Sequence, residues 1–226
     1  MIVYGKQISL YVLEKFPNII EEVYLQKEID KKLFYRFSNV AKIVKVDFKK
    51  AQAMAKGGNH QGFLLKIKDV DFLRFKDIKD SRFVLVLYNI TDVGNIGAIV
   101  RSAYAFGVDA VIVTGQRHCD LEPVVRSSSG ALLSMPMVLY PNSLDLINEL
   151  KMSGFSLYGA GFGGEDITRV EFADKKAIFL GNEGEGIPKK ILAKLDKIIS
   201  IKMVRDFNSL NVSVAAAIIC DRIANG

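Results

Sequence analysis

Cysteine and histidine are scarce in this sequence, two of each in 226 residues. Cys119 and Cys220 are far apart and lack a C-x-x-C spacing, which argues against a disulfide framework or a thiolate zinc site and leaves two ordinary thiols. A histidine-based catalytic triad would have to recruit His60 or His118, the only two available. No apolar run approaches the ~18 residues of a membrane helix. The first residues, MIVYGKQISLYVLEKF, lack the basic start and cleavage pattern of a signal peptide. Internal repeats and low-complexity tracts are also missing. These absences lead to the expectation of a soluble, cytoplasmic globular protein.

The 50% apolar content is enough to bury a core in one large domain or two small ones. A net charge of +6 leans toward an anionic partner. Basic and aromatic residues alternate over Lys31, Lys32, Leu33, Phe34, Tyr35, Arg36 and Phe37, and Lys42, Lys45, Lys49, Lys50 and Lys56 extend the positive character. Such a surface can hold a nucleic-acid strand by charge and stacking. An amphipathic helix with Leu33, Phe34 and Phe37 in a core and solvated charges outside is the simpler account of the aromatics.

Two parts are legible along the chain. Residues 1–68 read as a small α/β unit with helices at 7–16, 31–37 and 48–55 and strands at 19–25, 42–46 and 62–67. Residues 69–82 are charge-rich without a compact apolar stripe and read as a linker. From residue 83 short apolar runs at 83–88, 110–114, 136–140, 156–161, 177–181 and 197–203 alternate with helical patterns at 96–106, 122–133, 143–153, 189–195 and from 209 onward. Strands buried on both faces with intervening helices predict a mainly parallel sheet covered on both sides. Ligands bind such sheets beyond the carboxyl ends of the strands, so the loops 89–95, 181–188 and 203–209 are the candidate site.

The second of these loops, NEGEGIP at 182–188, follows the apolar run that ends at Leu180 and Gly181. Its glycines let a ligand approach the backbone closely. Glu183 and Glu185 repel a polyphosphate, and the Gly-Lys-Ser/Thr tail of a P-loop is missing. In the first loop Asn95 is placed to cap the next helix, whose apolar stripe is Ile96, Ile99, Val100 and Ala103. Arg101 lies outside that stripe, about 9 Å along the axis from Asn95, and helical side chains lean back toward the N-terminus. A solvated surface arginine is the simpler alternative. In the third loop Asn208 or Ser209 is expected to cap the last helix, which leaves Asn211 to bind or align a ligand.

VGNIGAIVRSA (93–103), FLGNEGEGIP (179–188) and IKMVRDFNSLNVSVAAAI (201–218) resemble motifs 1, 2 and 3 of the SpoU/TrmH branch of the SPOUT RNA ribose methyltransferases. VVRSSSGALLSMP (124–136) adds to the resemblance, and NHQGF (59–63) is similar to the end of that family's small substrate-binding domain. The branch it most resembles methylates guanosine 2′-hydroxyls of 23S rRNA. The resemblance implies an L30e-like α/β RNA substrate-binding domain at 1–68, a linker at 69–82, and a SPOUT α/β-knot methyltransferase domain at 83–226 with a deep C-terminal trefoil knot. It implies S-adenosyl-L-methionine as cofactor, RNA as substrate, a homodimer, and no metal.

By the same resemblance the functional side chains fall on Asn95, Arg101, Glu183, Ser209 and Asn211. The cofactor falls on Leu180, Gly181, Ile201, Met203 and Leu210, held largely by backbone atoms. Arginine stays protonated, so orienting the substrate phosphate and stabilising oxyanion charge suits Arg101 better than acting as a base. His60 then ends a loop or meets RNA, and His118 faces solvent. The sequence departs from the family pattern at Val93, often proline, and at Val204–Phe207, often smaller and glycine-containing. A tRNA-modifying enzyme and a catalytically silent RNA-binding protein on the same fold are the competing readings. The five intact side chains argue against the silent one.

Overall fold

The computed structural model describes residues 1–205 and 209–226. The chain forms two compact units, Met1–Asp71 with Leu121–Gly130, and Phe72–Asp120 with Ala131–Gly226. Among the described residues no helix is long and apolar enough to cross a membrane.

The first unit runs β1 (Ile2–Tyr4), α1 (Lys6–Lys15), β2 (Ile20–Leu25), α2 (Lys31–Ser38), β3 (Lys42–Lys45), α3 (Phe48–Met54) and β4 (Phe63–Ile67). Its sheet has the order β1-β4-β2-β3, with β4 antiparallel to both neighbours and β2 parallel to β3. The parallel pair needs a crossover, which α2 supplies. Aspartates start two of the helices. The Asp30 carboxylate accepts from the Leu33 N–H at 2.9 Å and that of Asp47 from the Lys50 N–H at 2.7 Å. Strand β1 is an addition to the sequence reading, because three residues are too few to show a period. Of the α2 aromatics Phe37 is fully buried, while Phe34 and Tyr35 are exposed.

The helix expected over 122–133 is two elements. Helix α4 (Val93–Ala105) comes earlier in the second unit, and α5 (Leu121–Ser127) belongs to the first. The chain breaks after α5 because Ser129 (φ 55°) and Gly130 (φ 91°) are left-handed. A 3₁₀ turn, Ala131–Ser134, follows in the second unit.

The second unit holds β5 (Phe83–Tyr88), β6 (Ala110–Thr114), β7 (Met137–Tyr140), α6 (Ser143–Met152), β8 (Ser156–Asp166), β9 (Lys176–Gly181), α7 (Lys189–Leu192), β10 (Lys197–Ser200) and α8 (Val212–Asn225). The six strands are all parallel, in the order β10-β8-β9-β5-β6-β7. β8 outruns its expected end through an irregularity in register opposite Ile198 and Ile199, and β10 stops short of the expected 203. Val84, Val86, Ile112 and Phe179 join Leu146, Ile147 and Leu150 of α6 in one core, while Leu85 and Leu87 on the alternate side of β5 are equally buried. Each such side chain contributes roughly 1.5–3 kcal/mol by leaving water. Cys119 and Cys220 are buried free thiols, and burial pushes them up to about 11 and about 12, which keeps both neutral at physiological pH.

From β5 the chain steps outward to β6 and β7, then returns to place β8, β9 and β10 on the opposite side. The β5–β9 boundary is therefore a topological switch point, where loops leaving the strand ends diverge and open a crevice. Helix α8 packs against α4 and touches β9. That contact brings Asn211, at the start of α8, to the end of the sheet where the first two loops lie.

Candidate active site

The crevice at the switch point is an open cleft of about 460 Å³, lined by Asn89, Ile90, Asp92 and Asn95 after β5, by Asn182–Glu185 after β9, and by Val212 at the start of α8. Each loop is shaped by its own polar side chains. Asn89 is left-handed (φ 51°), and its N–H donates to the Thr114 carbonyl at 2.8 Å. Asp92, not Asn95, caps α4: its carboxylate accepts from the Asn95 N–H at 2.7 Å, and the helix starts at Val93. Either residue type can cap. The one three positions upstream took the role and left the Asn95 amide free of it.

In the second loop the Asn182 Oδ1 accepts from the N–H groups of Gly184 at 3.1 Å and Glu185 at 2.8 Å, and the Gly186 N–H donates to the Asn182 carbonyl at 3.0 Å. This is an Asx-type turn, legible in principle from an asparagine two residues before a glycine. The sequence reading did not single Asn182 out. Gly181 is required for another reason. A Cβ there would lie 2.5 Å from the Ile187 nitrogen and 2.6 Å from the Gly186 oxygen, and would overlap the Gly186 carbonyl carbon.

The cap of α8 is Asn211, whose Oδ1 accepts from the Ser213 N–H at 2.9 Å. This corrects the expectation of a cap at 208 or 209; Asn208 lies outside the described residues, and Ser209 is exposed two positions ahead of the cap. Because the oxygen is committed to the helix, the amide nitrogen must point the other way. It donates to Asn95 Oδ1 at 3.0 Å and to Glu183 Oε1, to which Asn95 Nδ2 also donates at 3.4 Å. Asn95, Glu183 and Asn211 thus close one cluster from three loops.

Arg101 is exposed on α4, six residues beyond Asn95 and about 120° around the axis, and it does not line the cleft among the described residues. Leu180 is 1% exposed in the core, so only its backbone can face a ligand, whereas Gly181, Ile201, Met203 and Leu210 are half-buried. Of the departures, Val204 is almost fully exposed, and residues 206 and 207 lie outside the described residues. His118 is exposed, as expected of a loop residue. His60 is buried, and its Nδ1 accepts from the Gly62 N–H at 3.0 Å.

Residues 82–221 match the SpoU rRNA methylase family, and residues 2–73 match the substrate-binding region of RNA 2′-O ribose methyltransferases. The chain belongs to the SpoU methyltransferase family. It is 36% identical over 193 residues to an uncharacterized tRNA/rRNA methyltransferase of Borreliella burgdorferi, covering 79% of this chain and 85% of that one. It is 31% identical over 229 residues to the 23S rRNA (guanosine-2′-O-)-methyltransferase RlmB of Vibrio vulnificus, covering 96% and 93%. The solved SpoU methyltransferase AviRb of Streptomyces viridochromogenes, in complex with AdoMet, superposes with a TM-score of 0.77 at 23% identity over 99% of this chain and 89% of its own. The fold is therefore the expected one, a small N-terminal α/β domain followed by a SPOUT α/β knot. The SpoU protein is an RNA 2′-O-ribose methyltransferase.

Asn211 both caps α8 and donates to Glu183 and Asn95, so its replacement tests whether the cluster serves stability, activity or both. Asn211→Ala is expected to lower stability by about 1 kcal/mol through the lost cap and methyl transfer by roughly ten- to a hundredfold through the released Glu183 and Asn95. Asn211→Ser retains a capping oxygen and loses the amide donor, so thermal melts should recover while the initial rate stays low. Recovery of both would reduce Asn211 to a cap.

Proposed function

We propose that this SpoU protein transfers a methyl group from S-adenosyl-L-methionine to a ribose 2′-hydroxyl of ribosomal RNA, 23S rRNA being the substrate. The observation that carries the reading is the three-loop cluster of Asn95, Glu183 and Asn211 at the mouth of the cleft. Near-complete mutual coverage with the Vibrio rRNA enzyme, both domains included, favours rRNA over tRNA.

The residues at hand suit the cofactor. Gly181, Ile201, Met203 and Leu210 are each partly exposed and none carries a charge, which suits backbone contact with the cofactor and an apolar face for its adenine. The nearby carboxylates Glu183 and Glu185 are compatible with a sulfonium and hostile to a triphosphate. When bound, the cofactor supplies an electrophilic methyl group. The protein must hold the ribose hydroxyl in line with it and stabilise the charge that develops as its proton leaves. Asn95 and Asn211 offer amides to align the ribose, with Ser209 ahead of the α8 cap, and Glu183 fixes both amides. Arg101 is exposed on α4, and helical side chains lean toward the helix N-terminus, the end at which the cleft lies. On this reading its guanidinium orients the substrate phosphate and offsets oxyanion charge.

Residues 1–68 serve as the RNA substrate-binding domain, 69–82 as linker and 83–226 as the methyltransferase domain, acting in the cytoplasm. Val214 and Ile218, one turn apart on α8, and Tyr104 on the adjoining α4 are exposed apolar side chains. They suit an isologous interface in a homodimer, which sedimentation would show. The function is tested by incubating the protein with radiolabelled S-adenosyl-L-methionine and ribosomal RNA, then mapping 2′-O-methyl positions. Label in ribose of 23S rRNA is expected; label only in tRNA would favour the alternative substrate. No label in any RNA despite cofactor binding would leave the catalytically silent reading.

Transfer is also expected to be steeply salt-sensitive, since log affinity falls with log salt by about 0.9 per phosphate neutralised in a duplex and about 0.7 in a single strand. Deleting residues 1–79 would be an ambiguous test, because α5 belongs to the same compact unit and would lose its partners. Replacing exposed Lys31 and Lys32 by glutamate is the cleaner one. RNA affinity at low salt should fall and the salt slope flatten, with cofactor affinity unchanged.

A further inference from the structure

The N-terminal unit contains a second cleft, of about 500 Å³, whose lining includes Lys27, Phe48, Gln52, Asn59, His60 and Gln61. We infer that it receives one unpaired nucleotide of the RNA, with the base stacked on the Phe48 ring and its edge read by side-chain amides. The inference rests on the RNA methyltransferase reading and adds to it where, and in what form, the RNA is recognised.

Phe48 is the first reason. It is 63% exposed although it opens α3, whose Ala51 is buried in a core with Val46, Ala55 and Leu64. An apolar ring left largely in water beside a cleft is a platform suited to a base face. His60 backs it, the two ring centroids being 5.8 Å apart and inclined at 52°. His60 is itself fixed. It is 4% exposed, and its Nδ1 accepts from Gly62 N–H, so a neutral imidazole carries its proton on Nε2.

The second reason is the character of the lining. It combines neutral amides with a lysine and includes no carboxylate. Amides of Gln and Asn each present donors and an acceptor, which matches the mixed edge of a base. Lys27 lies on the cleft, and Lys49 and Lys50 are exposed next to Phe48 in sequence. Together they place positive charge where the flanking phosphates of a flipped nucleotide would run.

Third, the wall is preorganised. Lys56 (φ 48°), Gly57 (φ 81°), Gln61 (φ 51°) and Gly62 (φ 84°) hold left-handed conformations, which cost a side-chain-bearing residue roughly 1–2 kcal/mol. Gln61 is kept there by its Oε1, which accepts from the Lys6 N–H at 3.0 Å. At Gly62 any side chain would also strike the Lys27 stem, at 2.6 Å from its Cγ. A loop held in this shape presents Asn59 and Gln61 in fixed positions instead of searching for the ligand.

Fluorescence anisotropy of the full-length protein with short labelled oligouridine and oligoadenosine, and with a duplex of the same length, tests the inference without cofactor or turnover. Phe48→Ala should weaken single-strand binding by roughly ten- to a hundredfold, leave duplex binding and the salt slope unchanged, and leave the melting temperature near that of the parent because the ring is exposed. Phe48→Tyr should restore affinity. Replacing Lys49 and Lys50 by alanine should instead flatten the salt slope, and Asn59→Ala should change the ratio of adenosine to uridine affinity. In steady-state methylation Phe48→Ala should raise KM and spare kcat. Unchanged single-strand affinity in Phe48→Ala, or equal loss for single strand and duplex, would overturn the nucleotide pocket. Absence of methyl transfer in the parent protein with these binding results intact would overturn the enzymatic reading alone.

Discussion

Arg101→Ala is expected to lower methyl transfer by at least roughly a hundredfold, the scale seen when one donor to a developing oxyanion is removed, while S-adenosyl-L-methionine affinity stays within a few-fold. The split follows from placement. Arg101 is on α4, whereas of the proposed cofactor residues Gly181 ends β9 and Ile201, Met203 and Leu210 follow β10. Arg101→Lys should recover little, because a point charge cannot reproduce the planar fork that addresses two phosphate oxygens. Single-turnover rates with saturating RNA, paired with calorimetric titration of the cofactor, measure both quantities. Loss of cofactor binding with turnover of the residual complex preserved would refute this assignment.

Gly181→Ala is expected to be nearly as damaging, by a different route. The added methyl would meet main-chain atoms of Gly186 and Ile187, not a side chain able to turn away. Residues 182–186 cannot yield alone, being tied by the bonds of Asn182 to Gly184, Glu185 and Gly186. The whole loop must shift, at the ~1–3 kcal/mol typical of overpacking, and Glu183 moves with it, away from Asn95 and Asn211. Cofactor affinity should drop at least roughly tenfold, and the melting temperature should fall by about 2–4 °C for each kcal/mol lost. Gly161→Ala, on β8 and outside the cleft lining, is the control. Its Cβ would meet only Ile198 Cγ2, at 3.7 Å, so both quantities should stay close to the parent. If Gly181→Ala binds cofactor as tightly as Gly161→Ala does, the loop after β9 is not the cofactor loop.

The sequence by itself determined most elements of the second unit and the residue types of its candidate site. Runs such as FVLVLY and AVIVT are apolar at every position because parallel strands in a covered sheet are buried on both faces, and they appear where expected. The loops that carry Asn95, Glu183 and Asn211 were legible for the same reason, since strand ends in such a sheet are where ligands bind. Where the sequence misled is which of several equivalent capping residues acts: it places caps at Asn95 and at 208 or 209, whereas Asp92 and Asn211 take those roles, and this fixes the direction of the Asn211 amide. The meeting of Asn95, Glu183 and Asn211 was decided by tertiary structure alone. They are separated by 88, 28 and 116 positions, beyond the reach of any local period, and only the placement of β9 beside β5 with α8 against α4 brings them together. The same holds for Leu121–Gly130, helical by its own pattern but assigned to the first unit by contacts with β1. Local propensity fixes backbone conformation over a few residues, whereas strand order and loop convergence follow from how buried faces are shared across the whole chain.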